Sequence, residues 1–161
     1  MREFRPRLTE SEYGMILKYR QNQEKGTFPI LALGCTHEPF THPRYIDFIC
    51  DVMAEYKPNT VIHLGDFMDN HAISRHISSG KADGAKEEYL KTKTKIKNWV
   101  DLLPSNTYYI PGNHCLIPTR QGASLGMPGV FFKTPQQLWD LPDTWKIAEQ
   151  FIIENIFFEH L

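Results

Sequence analysis

The sequence predicts an α/β domain: a mostly parallel or mixed sheet flanked by helices. Short apolar runs rich in β-branched and aromatic residues alternate with helix-length amphipathic stretches. Three of the runs end at a glycine followed at once by side chains that bind metals or substrates: Gly34 then Cys35-Thr36-His37, Gly65 then Asp66, and Gly112 then Asn113-His114. With 161 residues and 41% hydrophobic content, the chain can bury one core and not two.

Residues 1–27 precede this pattern as an appendage. Thr9-Glu10-Ser11-Glu12 fits a capping box, and Tyr13, Ile16 and Leu17 continue a helical stripe that ends among polar residues near Gly26, so a helical arm and linker are expected. Residues 28–161 form the domain proper. Its first strand is 28–34, followed by a loop to Pro43 and by a helix capped by Thr41 or His42 with Pro43 at its first position, and with Tyr45, Ile46, Phe48, Ile49, Val52, Met53 and Tyr56 on one face. Cys50, inside that helix, reads as a small buried apolar residue. The helix stops near Pro58, and the strand 60–64 completes a βαβ unit that brings Cys35 and Asp66 to the same sheet edge. Composition marks 78–84 as an exposed loop, and 85–103 as a helix apolar at Tyr89, Ile96, Trp99, Val100 and Leu103. The third strand, from Thr107, leads into a Gly/Pro-punctuated stretch and a short helix opened by Thr134-Pro135-Gln136-Gln137. Residues 145–148 and 151–158 read as strands of a hairpin or meander. Internal repeats and low-complexity segments are absent from the sequence.

Asp66 sits at the carboxyl end of a strand, where open α/β sheets keep their ligand crevice. Alone it could equally cap the turn. Two further strand ends of the same make decide between these readings, because packing does not call for Cys-Thr-His and Asn-His directly after glycine turns. Cys35, His37, Asp66, Asn113 and His114 are therefore expected to converge on one crevice, a metal site assembled from loops of one sheet.

Gly65-Asp66-Phe67-Met68-Asp69 together with Gly112-Asn113-His114 resembles the calcineurin-like metallophosphoesterases, whose motifs run D-x-H, G-D-x-x-[DN], G-N-H-[DE], a lone His and G-H-x-H. The resemblance covers about residues 28–160 and implies the N-terminal portion of an αββα sandwich, with the last part of the family fold lacking. It also implies two divalent ions drawn from Mn, Zn, Fe or Mg. Asp66 would bridge them, His37 would hold one, and Asn113 with His160 the other. His114 would stand just outside, touching a phosphate oxygen or protonating the leaving group, with Asp69 setting its orientation. For His160 a solvated terminal histidine is the competing reading. Three departures stand out: Cys35 replaces the family's first aspartate, Cys115 replaces the acidic residue of the third motif, and no G-H-x-H occurs. A thiolate selects Zn over Mg or Mn, so the first ion position is expected to be empty or Zn-selective and the second to fill first.

A net charge of -1 provides no field for nonspecific binding of nucleic acid or an anionic membrane. An odd number of cysteines, no apolar run of spanning length and no signal-peptide core point to the cytoplasm. The lysine run 86–97 fits a solvated helix face better than a nucleic-acid footprint. Arg75 and Arg120 are either phosphate grips or members of structural salt bridges. The expected partner is a phosphate ester, with a nucleotide or a nucleic-acid end among the candidates. The expected function is hydrolysis of a phosphomonoester or phosphodiester, weakened by Cys35. The alternative is a metal-deficient relative kept as a binding or assembly module.

Overall fold

The computed structural model describes residues 29–75 and 83–160. The arm expected over 1–27, most of the loop expected over 78–84, and His76 lie outside the described residues. Four strands, β1 (Ile30–Leu33), β2 (Thr60–Leu64), β3 (Thr107–Ile110) and β4 (Lys146–Ile147), form one sheet in the order β1-β2-β3-β4. Every pairing is parallel, in the registers Leu33 opposite His63, Leu64 opposite Ile110 and Tyr109 opposite Ile147. All four strands therefore point their carboxyl ends the same way, as the glycine-ended runs require.

Helices occupy the crossovers. Helix α1 (Tyr45–Tyr56) joins β1 to β2 and stops where Lys57 turns left-handed, φ 46°, ahead of Pro58. It begins at Tyr45 and not at Pro43, and no side chain caps it: the Thr41 hydroxyl instead donates to the Thr36 carbonyl within the preceding loop. Ile49 is the buried anchor of α1, while Phe48 and Cys50 face outward, so Cys50 is an exposed thiol and not the buried apolar residue expected of it. Helix α2 (Ala85–Leu102) joins β2 to β3 and buries Glu88, Thr92, Ile96 and Trp99. Three of its five lysines are in ion pairs, Lys91 with Asp83 at 2.7 Å, Lys93 with Asp140 at 2.6 Å and Lys97 with Asp101 at 3.6 Å, which supports the solvated-face reading. Helices α3 (Ile117–Ser124) and α4 (Pro135–Trp139) lie between β3 and β4, the latter opened by the expected Thr134 cap, whose hydroxyl accepts from Gln137 N–H at 3.2 Å. No helix of the described residues is long and apolar enough to cross a membrane.

The core runs between the sheet and these helices: Leu33, Val61, Phe67, Tyr109, Ile96, Trp99, Trp139 and Trp145 are all buried. The C-terminal strands divide differently from the expectation. Residues 146–147 join the parallel sheet as its fourth strand, and the run 151–158 is itself a hairpin, β5 (Gln150–Ile153) and β6 (Ile156–Glu159). Glu154 and Asn155 turn it with φ of 50° and 63°, the two-residue turn whose twist matches antiparallel strands. The Phe151 ring packs edge-on against Tyr108 at 4.9 Å and fixes the hairpin to the sheet, so β6 returns His160 to the carboxyl edge.

Candidate metal centre

The first two strand-end loops continue the sheet beyond its named strands. Thr36 and His37 donate their N–H groups to the Asp66 carbonyl at 3.0 and 2.8 Å, Glu38 N–H to Phe67 O at 2.8 Å, and Asp69 N–H back to Glu38 O at 2.9 Å. Glu38 and Met68 thereby form an isolated parallel bridge. The third loop is tied on by Asn70, itself left-handed at φ 54°, whose Nδ2 donates to the His114 carbonyl at 2.9 Å.

Asp66 lies nearly buried where these loops meet, and its two oxygens have different surroundings. Oδ1 is fixed by the peptide N–H of His114 at 2.8 Å, with the Cys115 thiol at 3.9 Å. Oδ2 faces His37 Nε2 at 3.9 Å and His160 Nε2 at 3.8 Å. His160 Nε2 is in turn 3.5 Å from Cys35 Sγ. Both neighbouring glycines are sterically required. A Cβ on Gly112 would sit 2.1 Å from Asp66 Oδ1, and one on Gly65, which also has φ +113°, would sit 1.9 Å from the His160 ring. Gly34, with nothing within 4 Å, is under no such constraint.

Asp69 organises two imidazoles. Its Oδ1 accepts from His37 Nδ1 at 2.7 Å and lies 2.9 Å from His114 Nδ1, which is also 2.9 Å from the Asp69 carbonyl. The two rings meet edge to face at 4.8 Å. A carboxylate holding the Nδ1 proton leaves the Nε2 lone pair free to ligate, so Asp69 presents His37 Nε2 towards Asp66.

Beneath the loops are groups that keep their protons fixed. His63 is fully buried, its Nε2 3.2 Å from the Thr36 hydroxyl, and burial lowers its pKa to about 3, so it is neutral at physiological pH. The Tyr109 hydroxyl donates to Cys115 Sγ at 2.9 Å, and burial raises the pKa of both groups. Cys115 is thus a protonated packing partner of Tyr109 where an acid would otherwise stand.

The donor set fits a divalent ion. Cys35, His37 and Asp66 each offer a ligand atom, all within 4.8 Å of one another. The edges of a tetrahedral ion with bonds of about 2.0 to 2.3 Å are about 3.3 to 3.8 Å long. The contacts of 3.5, 3.8 and 3.9 Å among Cys35, His160, Asp66 and His37 are of that size. His37, Asp69 and His114 also lie within 4.8 Å of one another, but at 2.7 and 2.9 Å their contacts are hydrogen bonds, too short to span an ion.

Of the residues singled out in the sequence, Cys35, His37, Asp66, Asp69, His114 and His160 are brought together. Asn113 is exposed and lines the adjoining cleft with His114. Sequence reasoning missed that Asp69 serves two rings, that His160 meets Cys35, and that Thr36 and His63 brace the first loop. The adjacency of Thr36 to His37 and of His63 to the Leu64-Gly65 strand end was the one available signal for that brace.

No curated protein sequence matches the chain. The family model of the calcineurin-like phosphoesterases matches residues 28–160, which include every residue of the centre described above. Residue groups that could hold a metal ion lie within the matched span, and the chain belongs to the calcineurin-like phosphoesterase family.

Proposed function

We propose that this chain hydrolyses a phosphate ester, a phosphomonoester or phosphodiester, with the Asp66 cluster as its metal-dependent centre. One observation carries the reading: Asp66 holds one oxygen on a peptide N–H while its other oxygen faces Cys35's neighbour His160 and His37 at ion-ligand spacing. Cys35, His37, Asp66, Asn113 and His160 are the metal-holding residues in this proposal. Divalent ions there would supply charge for the phosphoryl oxygens and a water acidified towards neutrality. His114, steadied at Nδ1 by Asp69, contributes its remaining nitrogen to a phosphate oxygen or hands a proton to the leaving group.

Cys35 sets the choice of metal. A soft sulfur beside two imidazoles favours Zn where an aspartate would favour Mn or Mg. Turnover with Mn is accordingly expected to be weak. A thiol exposed at such a centre also requires a reducing compartment, and the cytoplasm is the proposed location. Elemental analysis of the purified chain, combined with generic phosphomonoester and diester substrates under added Zn and Mn, tests the proposal. Retention of Zn with hydrolysis that disappears in Asp66→Asn is the expected result. Absence of any bound ion would sink it and favour the binding-module reading, which rests on Cys35, Cys115 and the lack of a G-H-x-H motif.

A further inference from the structure

Beside the centre, and sharing His114 with it, opens a cleft of about 340 Å³. Two guanidiniums line it, Arg75 after the second loop and Arg120 on α3. Among the described residues neither is held in an ion pair, and no acidic side chain lines the cleft. Among the described residues the salt-bridge reading of these arginines thus finds no partner. The remaining wall combines Ser74 and the amides of Asn113 and Gln121 with the apolar side chain of Ile117.

We infer that this cleft binds a leaving group that itself carries a phosphate and is the size of one nucleotide. The inference rests on the phosphoesterase reading for its orientation, since His114 joins the two sites. A planar guanidinium matches a phosphate in bidentate fashion, and two of them without competing acids are a site for an anion and not for a neutral alcohol. The volume is at the lower end of the range of about 300 to 1,000 Å³ typical of small-molecule sites, far more than one phosphoryl group fills and too little for a folded partner. The Gln121 amide can pair with the donor and acceptor edge of a base, and Ile117 offers that ring an apolar face. The substrate class selected is therefore a phosphodiester or phosphoanhydride whose departing half is a nucleoside phosphate. A simple monoester leaves the arginines unused.

Equilibrium binding of adenosine 5′-monophosphate to the full chain in EDTA tests this without the metal centre, with adenosine and inorganic phosphate as comparison probes. The nucleotide is expected to bind at least about tenfold more tightly than either comparison probe. Arg75→Ala and Arg120→Ala are each expected to weaken it by about tenfold or more, the strength of a charge-assisted pair. Arg75→Lys and Arg120→Lys should recover only part of the loss, because a point charge replaces a fork. Nucleotide binding no tighter than that of phosphate, or unchanged in both alanine variants, overturns the inference. Zn and Mn uptake, measured in parallel on the same variants, reports separately on the metal centre. Loss of ion binding with arginine-dependent nucleotide binding intact refutes the phosphoesterase proposal and leaves the cleft standing.

Discussion

Replacing Gly112 by alanine adds one methyl group at the point where the third loop crosses Asp66. The new Cβ would lie 2.1 Å from Asp66 Oδ1 and 2.7 Å from its backbone nitrogen, against an ordinary contact of at least 3.4 Å, so something must move by about 1.3 Å. Thr36 and His37 hold the Asp66 carbonyl in place, so the carboxylate must give way and the third loop must shift off the Asp66 backbone. Forced overpacking costs about 1 to 3 kcal/mol. Losing the 2.8 Å hydrogen bond from the His114 N–H to a charged acceptor adds about 1.5 to 3 kcal/mol. Because the two losses overlap, a total of roughly 2 to 5 kcal/mol is expected, a fall in melting temperature of roughly 5 to 15 °C for a domain of this size. The displaced carboxylate should also lower Zn affinity by about tenfold or more. Gly34→Ala is the matched control: nothing lies within 4 Å of its Cβ, and a gain of about 0.4 to 1 kcal/mol from the stiffened unfolded chain is expected. Urea unfolding and Zn titration of both variants make the comparison. If Gly112→Ala unfolds and binds Zn like Gly34→Ala, the crowded approach of loop and carboxylate has been misread.

Three further perturbations separate the roles assigned above. Asp66→Asn should abolish divalent binding in calorimetric titration, whereas His114→Ala should weaken it only modestly, and equal losses would mean that ligand and bystander have been exchanged. Cys35→Asp should raise Mn affinity and lower Zn preference; unchanged metal stoichiometry and selectivity would reduce Cys35 to a packing residue. His63 gives an acid-sensitive fold: the unfolded chain takes up its proton near pH 6.5, while the folded chain resists until about pH 3. The unfolded state thus binds more protons across that window, and stability falls with falling pH by up to about 1.4 kcal/mol per unit from this group. His63→Leu should flatten the decline of urea midpoints between pH 7 and 4, and an unchanged slope would exclude His63 as its source.

The parts of the site that could be read from the sequence are those encoded locally. Gly34, Gly65 and Gly112 mark the strand ends because a ligand loop must leave a parallel strand sharply, and each carries its ligands within the next few residues. What escaped depends on contacts between distant segments. The closeness of Cys35 and His160 spans 125 positions and depends on the β5–β6 turn, made by Glu154 and Asn155 without the glycine that usually betrays such a turn. The start of α1 was misplaced because the Thr41 hydroxyl, a good cap by type, is spent on the Thr36 carbonyl. Cys50 was misread because an apolar face drawn around Phe48 and Ile49 does not reveal which of them turns inward. Asp69 was legible as an outer residue, but that it serves two rings follows only from the edge-to-face placement of His37 and His114.

The bridge between Glu38 and Met68 has a consequence for motion. The amides of Thr36, His37, Glu38 and Asp69 are all engaged across the two loops, so the segment carrying the ligands is an extension of the central sheet and not a hinged flap. Such amides exchange with solvent only when the sheet itself opens, on the slow scale of global unfolding. Cys35 is exposed, so the centre is open to an arriving ion without movement of these loops. The ligand geometry would be inherited from the fold before any ion arrives, and the entropic cost of organising it would have been met during folding.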